Sequence, residues 1–465
     1  MIQNYIAAKA DCKPTIYLPV EIKARELKAK ILIALVAARH GFRIYLGSKQ
    51  AIDQLIECKP GKGGIYFYKG GKPAAILAGI KDRVDRFVVL DEEMGPAVQD
   101  LDSYYQGRIY PGTEAWVDRM FLLGQTHLDS LCRVRPELAP KAVVTGWPRV
   151  DLWRPELKHQ FVGDVSALQQ QHGAYLLFSS DFGVISQEAL GRELRRLGES
   201  HFNEAERHRQ TKRLHDAYAD FDRFVALARK LDADPECPPI IIRPHPSETI
   251  SVWKERLGAL QKTRIIFEGE ISPWLYASSG LLHRGCTTAV QAYFSDIPSI
   301  YILDAHASPK TATLPFQMSH AAANYDELVT LSRAAMEGSL HRQDDVHAQE
   351  HVFTEPALAT ERIVTELEHL QAAGEPPYRP SKLGAIAQLL QGRFVEWRAA
   401  TGIGLSKRRV ARMNRKLPGG IHAPEISRIA AGLDVVEGVS IREIAFNAIE
   451  IDMPVSKVVS VGSNT

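Results

Sequence analysis

The sequence contains few cysteines and no long apolar run. Its 465 residues include five scattered cysteines and no CxxC pair. This pattern excludes a disulfide framework and a cysteine-rich metal site, and it favours a reducing compartment. The longest apolar run, residues 31–38, has eight residues, whereas a membrane-spanning helix needs about 20. We therefore expect a cytoplasmic protein without a spanning helix or a signal peptide.

The chain also lacks a strong excess of charge of either sign. Its 57 Lys and Arg residues nearly balance 55 Asp and Glu residues, for a formal net charge of +2. This balance does not indicate a nucleic-acid partner. The 45% hydrophobic and 24% charged residues are ordinary for folded soluble proteins. A chain of this length predicts two globular units rather than one.

Several well-known catalytic motifs are absent. Glycines 61, 63 and 64 do not complete a GxGxxG motif, and Gly71-Lys72 is followed by Pro73 rather than by Ser or Thr. Neither a dinucleotide site nor a P-loop is therefore expected. HExxH and GxSxG are also absent. The one DxD-like string, at Asp232 and Asp234, precedes a predicted strand, so we expect no obligatory metal.

Apolar β-like runs alternate with helical patterns in two parts of the chain. The first series has strands at 15–20, 43–47, 65–68 and 86–90, and the second has strands at 175–179, 239–243, 264–267, 280–282 and 299–303. A charged helical pair is predicted over 187–231. This alternation predicts an α/β fold with two Rossmann-like domains facing a cleft. The expected divisions are 1–153, 154–373, and a linker with a helical extension over 374–465.

Carboxylates follow the predicted strand 86–90. Asp91, Glu92 and Glu93 come directly after it. Because ligands of open α/β sheets bind outside the carboxyl ends of the strands, these residues are candidates for the site. Mutual repulsion would raise the pKa of at least one of them and make it a general acid or base. A solvated turn is the alternative interpretation.

A histidine follows the strongly apolar strand 239–243. His245 lies between Pro244 and Pro246, which hold it in an extended backbone at the sheet edge. An imidazole in this position can reach a phosphate oxygen and offset the charge that develops on a leaving phosphate. A purely structural histidine is the alternative.

Residues 283–289 read His-Arg-Gly-Cys-Thr-Thr-Ala, between a strand and a predicted helix. Gly285 permits close approach of the backbone to a ligand. Thr287 and Thr288, at the first turn of the helix, form an anion site, an ordinary N-cap, or both. Cys286 is expected to pack rather than to react, since no base candidate is adjacent to it.

Two further segments are candidates for the site. Residues 145–151 lie where the first series meets the second, and residues 179–183 follow the first strand of the second series. Asp151 and Asp181 are the candidate carboxylates in these segments. A purely structural role, in an Asx turn or as a helix cap, is the alternative for each of them.

A family resemblance rests on seven segments in order. They are YLPVEIKARELKAK, LDEEMG, VVTGWPRVDLW, LLFSSDFG, IIIRPHPSE, LLHRGCTTAVQAYFSDIPSI and RKLPGG, from about residue 15 to residue 420. Together they resemble the bacterial surface-carbohydrate biosynthesis proteins. These are GT-B glycosyltransferases related to the β-3-deoxy-D-manno-octulosonic acid (Kdo) transferases of capsule and O-antigen assembly. The resemblance implies a CMP-activated sugar acid as donor, a glycan or lipid-linked glycan as acceptor, and no cofactor.

The resemblance also implies roles for individual residues. His245 would contact the CMP phosphate, with Ser247 and Glu248 near the cytidine. Glu92 or Glu93 would act on the acceptor or sugar side, and Asp151 or Asp181 would supply a nucleophile. The full set of candidates is, for catalysis, Asp91, Glu92, Glu93, Asp151, Asp181 and His245, and, for donor binding, Gly146, Arg149, Ser179, Ser180, Arg243, His245, Ser247, Glu248, Arg284, Gly285, Cys286, Thr287 and Thr288.

Other functions remain open at this point. A CDP-alditol phosphotransferase of the teichoic-acid type would also combine a GT-B scaffold with phosphate-contacting histidines. A non-catalytic nucleotide-sugar-binding subunit of a polysaccharide assembly complex is a third hypothesis. The basic segment 407–416 is typical of a helix on an anionic membrane surface. A solvated helix packed through its apolar side chains is the alternative there.

Overall fold

The computed structural model describes residues 12–59, 61–71, 77–91, 100–199, 203–303, 313–343, 348–354, 356–370, 374–375, 394 and 416–454. Glu92, Glu93, the basic segment 407–415 and the proline-rich linker 376–380 lie outside the described residues. The chain folds into two compact units. The first comprises residues 1–94, 100–152 and 349–465, and the second comprises residues 95–99 and 153–348.

The first unit alternates strands with helices and ends in a hairpin. Its elements are β1 (Lys13–Val20), α1 (Lys23–Arg39), β2 (Arg43–Ser48), α2 (Lys49–Cys58), β3 (Ile65–Tyr68), α3 (Ala78–Lys81), β4 (Arg86–Leu90), α4 (Leu101–Arg108), β5 (Arg119–Leu122), α5 (Gln125–Val134), β6 (Ala142–Val144) and α6 (Pro148–Asp151). The returning chain adds α15 (Ala348–His351), α16 (Ala359–His369), β13 (Gly374–Glu375), α17 (Ala423–Leu433), β14 (Ser440–Ala445) and β15 (Ala448–Asp452).

The sheet of the first unit is mainly parallel. Its order is β14-β15-β2-β1-β3-β4-β5-β6, and the run from β2 to β6 is parallel. The hairpin β14–β15 adds antiparallel to β2, and β13 pairs antiparallel with β1. Ile16 of β1 pairs with Ile44 on one side and Ile65 on the other, and all three are fully buried. Strands covered on both faces read as continuous apolar runs.

The second unit is a smaller parallel sheet with its own helices. Its elements are α7 (Val162–His172), β7 (Leu176–Ser179), α8 (Gln187–Gly198), α9 (Glu204–Ala233), β8 (Ile240–Arg243), α10 (Ile250–Leu257), β9 (Arg264–Ile265), α11 (Ile271–Ala277), β10 (Gly280–His283), α12 (Thr288–Phe294), β11 (Ser299–Ile302), α13 (Leu314–Gln317), β12 (His320–Ala322) and α14 (Tyr325–Met336).

The strand order of the second unit reverses at β7. The order is β12-β11-β10-β7-β8-β9, and every pairing is parallel. The chain runs from β7 outward to β8 and β9, then returns to the other side of β7 as β10. Such a reversal opens a crevice at the carboxyl ends of the central strands, where open α/β sheets bind ligands.

An aromatic cluster joins this sheet to the helices that cover it. The rings of Phe178 and Phe224 are stacked with centroids 4.0 Å apart. Phe182, Phe221 and Trp253 complete the cluster with edge-on and tilted contacts. Because Phe178 lies in β7 and Phe182 in the loop that follows, the cluster fixes the start of that loop on the core.

The predicted α/β class is confirmed, and all nine predicted strands are present. The strand predicted at 264–267 is shorter and ends at Ile265. Strands β5, β6 and β12, of three or four residues each, were not predicted.

The predicted domain divisions need two corrections. Residues 349–370 pack in the first unit, not in the second. The region predicted as a helical extension contains α17 and the hairpin β14–β15, which extends the first sheet. Lys13 holds this hairpin by an ion pair to Asp452 at 2.7 Å. These attachments join residues that are far apart in sequence, so local patterns do not indicate them.

Candidate functional site

Three loops meet at the carboxyl edge of the second sheet. They follow β7 (residues 179–183), β8 (residues 243–248) and β10 (residues 283–288), and these strands are neighbours in the sheet. Most of the predicted donor-binding residues lie on these loops. The structure therefore brings them together at the reversal of the strand order, in agreement with the general rule for open α/β sheets.

The Glu248 carboxylate organises two of the three loops. It is largely buried and accepts hydrogen bonds from the Ser180 hydroxyl at 2.7 and 2.8 Å and from the Gly183 N–H at 3.0 Å. It also accepts bonds from the His245 N–H at 3.1 Å and from Nε1 of Trp253 at 3.0 Å. With so many donors already bound, Glu248 acts as a positioning residue, which differs from the cytidine contact implied by the resemblance.

The His245 imidazole is exposed and held in one orientation. Its Nδ1 lies 3.2 Å from the backbone N of Ser247 and 2.7 Å from the Ser247 hydroxyl. Since a backbone N–H only donates, Nδ1 is the acceptor and Nε2 carries the proton in the neutral ring. The ring therefore presents its Nε2–H as a hydrogen-bond donor at the carboxyl edge of β8.

The Arg243 guanidinium holds the neighbouring loop instead of facing solvent. It is buried, and it donates to the carbonyls of Glu268 and Gly269. It also lies over the ring of Trp274 at 4.9 Å. Burial lowers the pKa of Arg243 to about 10. The residue predicted to bind the donor thus fixes residues 268–269 in the loop that follows β9.

His283 supports the third loop through hydrogen bonds of its imidazole ring. It is fully buried at the end of β10, its Nδ1 accepts the Gly285 N–H at 3.0 Å, and its Nε2 lies 2.9 Å from the Ser319 hydroxyl. Burial lowers the pKa of His283 to about 3, so the ring is neutral at physiological pH. Gly285 has a φ of 123°, a conformation that side-chain-bearing residues rarely adopt.

Arg284 is buried within a network of carboxylates. Its guanidinium donates to Asp220 of α9, and one terminal nitrogen lies 3.8 Å from Oδ1 of Asp181. The group also stacks on the Phe182 ring, 4.4 Å from its centroid. Nε of Arg284 and Oδ1 of Asp181 have no hydrogen-bond partner among the described residues. Asp181 is partly exposed in the loop that follows β7.

Four further donor-binding candidates, Ser179, Cys286, Thr287 and Thr288, lie around the start of α12. The Ser179 and Thr288 hydroxyls are 3.1 Å apart and connect β7 to this helix. Thr287 is exposed, and its side chain makes no capping bond. Helix α12 has only seven residues, so a strong N-terminal dipole is not expected. Burial raises the pKa of Cys286 to about 11, as expected for a packing thiol.

In the first unit, Asp91 is engaged in a two-pronged ion pair. Its carboxylate oxygens lie 2.6 and 2.7 Å from Nε and Nη2 of Arg108, and the Tyr104 hydroxyl is 3.1 Å away. Such bidentate pairs fix both partners. Of the three carboxylates predicted to act as a general acid or base, only Asp91 belongs to the described residues. Glu92 and Glu93 lie outside them.

Asp151 caps a helix of the first unit. Its buried carboxylate accepts bonds from the Ala359 N–H at 2.9 Å, the Thr360 N–H at 2.8 Å and the Thr360 hydroxyl at 2.7 Å. Burial raises the pKa of Asp151 to about 6, against the opposing effect of these bonds. This is the cap interpretation that the sequence left open, and it occupies the carboxylate in holding α16.

Gly146 makes room for the returning chain. An added Cβ there would lie 2.1 Å from the carbonyl oxygen of Phe353, and Gly124 shows the same relation to Glu350 at 2.3 Å. Arg149 stacks on Trp147, with its guanidinium 4.7 Å from the ring centroid. The structure therefore accounts for Gly146 by backbone packing rather than by a bound donor.

Sequence reasoning missed three residues that shape this site. Asp220 lies among many charged residues of α9, so nothing in the pattern distinguishes it. The only sign in the sequence that Trp253 contributes to the site is its position five residues after Glu248. Phe267 is 41% exposed and lies 5.6 Å from the Arg243 guanidinium. A phenylalanine just after a strand end could have indicated a ligand contact. The strand was predicted to extend through Phe267, so this position was not considered.

Over the ranges that the structure describes, no group of three or more His, Cys, Asp or Glu side chains is arranged to hold a metal ion. Likewise, no helix in the described part of the chain is long and apolar enough to cross a bilayer.

Comparison with known proteins gives matches only among solved structures. No family model matches the chain, and no curated protein matches it. The UDP-GlcNAc 2-epimerase of Methanocaldococcus jannaschii, in complex with UDP-GlcNAc and UDP, is 16% identical, with 77% of this chain and 99% of that chain covered and a TM-score of 0.46.

Two other solved structures match the chain with somewhat lower TM-scores. The S. aureus MnaA–UDP complex is 11% identical, with 77% and 96% of the two chains covered and a TM-score of 0.45. Anabaena HepE in complex with UDP and glucose is 9% identical, with 76% and 95% covered and a TM-score of 0.35. Likeness of this size carries no information on substrate, so the substrate has to follow from the residues of this chain.

Proposed function

We propose that the chain is a glycosyltransferase of bacterial surface polysaccharide assembly. It transfers a Kdo-like sugar acid from a CMP-activated donor to a glycan or lipid-linked glycan acceptor. The observation that carries this proposal is the orientation of His245, whose Nδ1 is held by Ser247 so that Nε2–H is presented at the carboxyl edge of β8. The order of the sequence motifs around this loop supports the choice of donor.

The donor phosphate would bind among the three loops of the second unit. In this proposal His245 Nε2–H and the exposed hydroxyl of Thr287 donate to phosphate oxygens. Hydrogen bonds of this kind strengthen as charge develops on the departing CMP, and they lower the barrier because they are oriented in advance. Glu248 contributes indirectly, since it holds the backbone of the His245 loop. No cofactor beyond the donor is part of the proposal.

The cytidine would lie toward the loop that follows β9. Arg243 fixes this loop through the carbonyls of Glu268 and Gly269. The exposed ring of Phe267 lies on the same loop, and an aromatic face of this kind stacks on bases at a gain of about 1–3 kcal/mol. Phe267 is therefore our candidate for the platform that receives the base.

The sugar side would lie near Asp181. Cleavage of the sugar–phosphate bond produces an oxocarbenium-like transition state, which a nearby carboxylate stabilises. A terminal nitrogen of Arg284 lies 3.8 Å from Oδ1 of Asp181, and the carboxylate is partly exposed after the end of β7. Of the two carboxylates considered as nucleophile, Asp181 is the one whose oxygens are not committed to a helix cap.

Nucleotide-dependent thermal stabilisation tests this proposal. CMP, CDP, UDP and GDP are compared at matched concentration on the wild type, on His245→Ala and on His215→Ala, an exposed histidine of α9 that serves as control. A ligand at about a hundredfold its Kd adds roughly 2.7 kcal/mol of stability. We expect stabilisation by CMP that is lost in His245→Ala and kept in His215→Ala.

Other outcomes distinguish the alternatives. Stronger stabilisation by UDP or GDP than by CMP would overturn the donor assignment. Transfer of a phosphoalditol, seen in the mass of the product, would instead identify the phosphotransferase. CMP binding without release of CMP from CMP-Kdo in the presence of acceptor would identify a non-catalytic subunit.

A further inference from the structure

A buried arginine lies between two carboxylates in the second unit. The Arg284 guanidinium donates a hydrogen bond to the Asp220 carboxylate of α9, and one of its terminal nitrogens lies 3.8 Å from Oδ1 of Asp181. An N–H···O hydrogen bond joins atoms about 2.7–3.2 Å apart, so the second contact is too long to be one. Arg284 is therefore bonded to Asp220 and only near to Asp181.

Two buried polar atoms at this contact lack partners. Among the residues that the structure describes, neither Nε of Arg284 nor Oδ1 of Asp181 has a hydrogen-bond partner. Most buried polar groups in folded proteins are hydrogen-bonded, and a guanidinium has five N–H donors to offer. A small movement of the Arg284 side chain toward Asp181 would give Oδ1 the donor that it lacks.

Asp220 explains why Arg284 does not make this bond. Asp220 is the first buried residue of α9, and its carboxylate also forms an ion pair with Arg223 of the same helix. On its face, the Arg284 guanidinium lies over the Phe182 ring, 4.4 Å from the centroid. A buried carboxylate and a core ring thus hold the guanidinium on the side away from Asp181.

The neighbouring acidic groups do not compete for the guanidinium. Burial, with a smaller contribution from the charge of Asp181, raises the pKa of Cys286 to about 11, so this thiol is uncharged at physiological pH. The Glu248 carboxylate, which accepts the Gly183 N–H in the same loop as Asp181, is bound to its own donors. Within the described part of the chain, Asp220 and Asp181 are the carboxylates that form ion pairs with Arg284.

We propose that Asp220 is a positioning residue that keeps Arg284 from bonding directly to Asp181. A carboxylate shares its negative charge between its two oxygens, so a hydrogen bond at Oδ1 would also reduce the charge at Oδ2. Without that bond, the Asp181 side chain, which is 21% exposed, retains more charge to stabilise a developing oxocarbenium ion. This consequence for catalysis rests on the proposed function, whereas the preference of Arg284 for Asp220 does not.

Replacing Asp220 by its amide tests the proposal, because Asp220→Asn keeps the shape of the side chain and removes its charge. Asp220→Glu keeps the charge, and Asp216→Asn is the control, since Asp216 of the same helix pairs with Lys212 instead. Crystal structures give the distance between Arg284 and Asp181. Release of CMP from CMP-Kdo gives kcat and KM. Melting temperatures establish that each variant is folded, and Asp220→Ser serves as the neutral variant if Asp220→Asn is not.

In Asp220→Asn we expect a nitrogen of Arg284 to lie about 2.9 Å from Asp181. The kcat should fall about tenfold while KM changes less than about twofold, as expected for an effect on the transition state alone. Asp220→Glu and Asp216→Asn should keep the longer distance and, within about threefold, the kcat of the wild type.

Three results would overturn the proposal: an unchanged distance in Asp220→Asn, a shortened distance with normal kcat, or a raised KM with normal kcat. The last of these would show that Asp220 supports donor binding only. A wild type that releases no CMP would overturn the proposed function instead. The crystal structures would then still decide whether Asp220 keeps Arg284 away from Asp181.

Discussion

The carboxylate of Glu248 accepts the backbone N–H of His245 at 3.1 Å. Through this bond and those from Ser180, Gly183 and Trp253, one buried carboxylate connects the loop after β7, the loop after β8 and helix α10. The exposed imidazole that we place against the donor phosphate therefore depends on a group that never reaches the ligand. Catalytic geometry often rests on such supporting contacts.

Replacing Glu248 tests whether the position of the His245 imidazole depends on the Glu248 carboxylate. In Glu248→Gln the amide NH₂ faces donors that the carboxylate now satisfies, so we expect a loss of about 2–4 kcal/mol in the free energy of unfolding. CMP stabilisation should fall with it, because the His245 loop loses its anchor. Urea unfolding measures the first effect. Glu255→Gln, at an exposed position of α10, should change stability by less than about 0.5 kcal/mol.

The two candidate nucleophiles separate in a paired experiment. Asp151→Asn keeps part of a helix cap, so it should lower stability by about 1 kcal/mol and leave CMP release from CMP-Kdo nearly unchanged. Asp181→Asn should lower CMP release at least about a hundredfold, because the transition state loses its carboxylate. Normal turnover in Asp181→Asn together with lost turnover in the folded Asp151→Asn would reverse the assignment.

The close approach at Gly146 predicts a destabilised first unit. A Cβ at this position would overlap the Phe353 carbonyl oxygen, and φ is 83°, so Gly146→Ala should lower the free energy of unfolding by about 2 kcal/mol or more. Thermal unfolding measures it. Gly163→Ala, in helix α7 with open space around the glycine, should instead raise stability by up to about 1 kcal/mol. Equal effects would contradict the close approach.

Buried His283 predicts acid sensitivity of the second unit. Its pKa of about 3 lies below the value of about 6.5 in the unfolded chain, so the unfolded state takes up the proton first as pH falls. The contribution of His283 is thus fully present above pH 6.5 and is lost toward pH 3, by up to about 1.4 kcal/mol per pH unit.

A variant series isolates this contribution. His283→Asn retains an acceptor for the Gly285 N–H, and its free energy of unfolding should depend less steeply on pH between 6.5 and 4.5 than that of the wild type. His215→Asn should keep the slope of the wild type. Urea unfolding at several pH values measures the slopes. An identical slope in His283→Asn would show that another group causes the acid sensitivity.

Apolar patterns and strand-end chemistry determined much of this protein from sequence alone. Apolar runs such as residues 86–90 and 240–242 are typical of buried strands. Because such runs alternate with helical patterns, the α/β class could be predicted from them. The grouping of residues 179–183, 243–248 and 283–288 also followed, because carboxyl ends of parallel strands share one edge.

Tertiary structure decided the roles of the individual side chains. His245 and Glu248 both looked like ligand contacts, yet one is exposed and the other is buried under several donors. Asp151 became a helix cap only because residues 359–360, about 200 positions later, fold against it. Whether a polar group faces a ligand or holds a loop depends on which distant backbone N–H groups reach it, and local sequence patterns do not encode those distances.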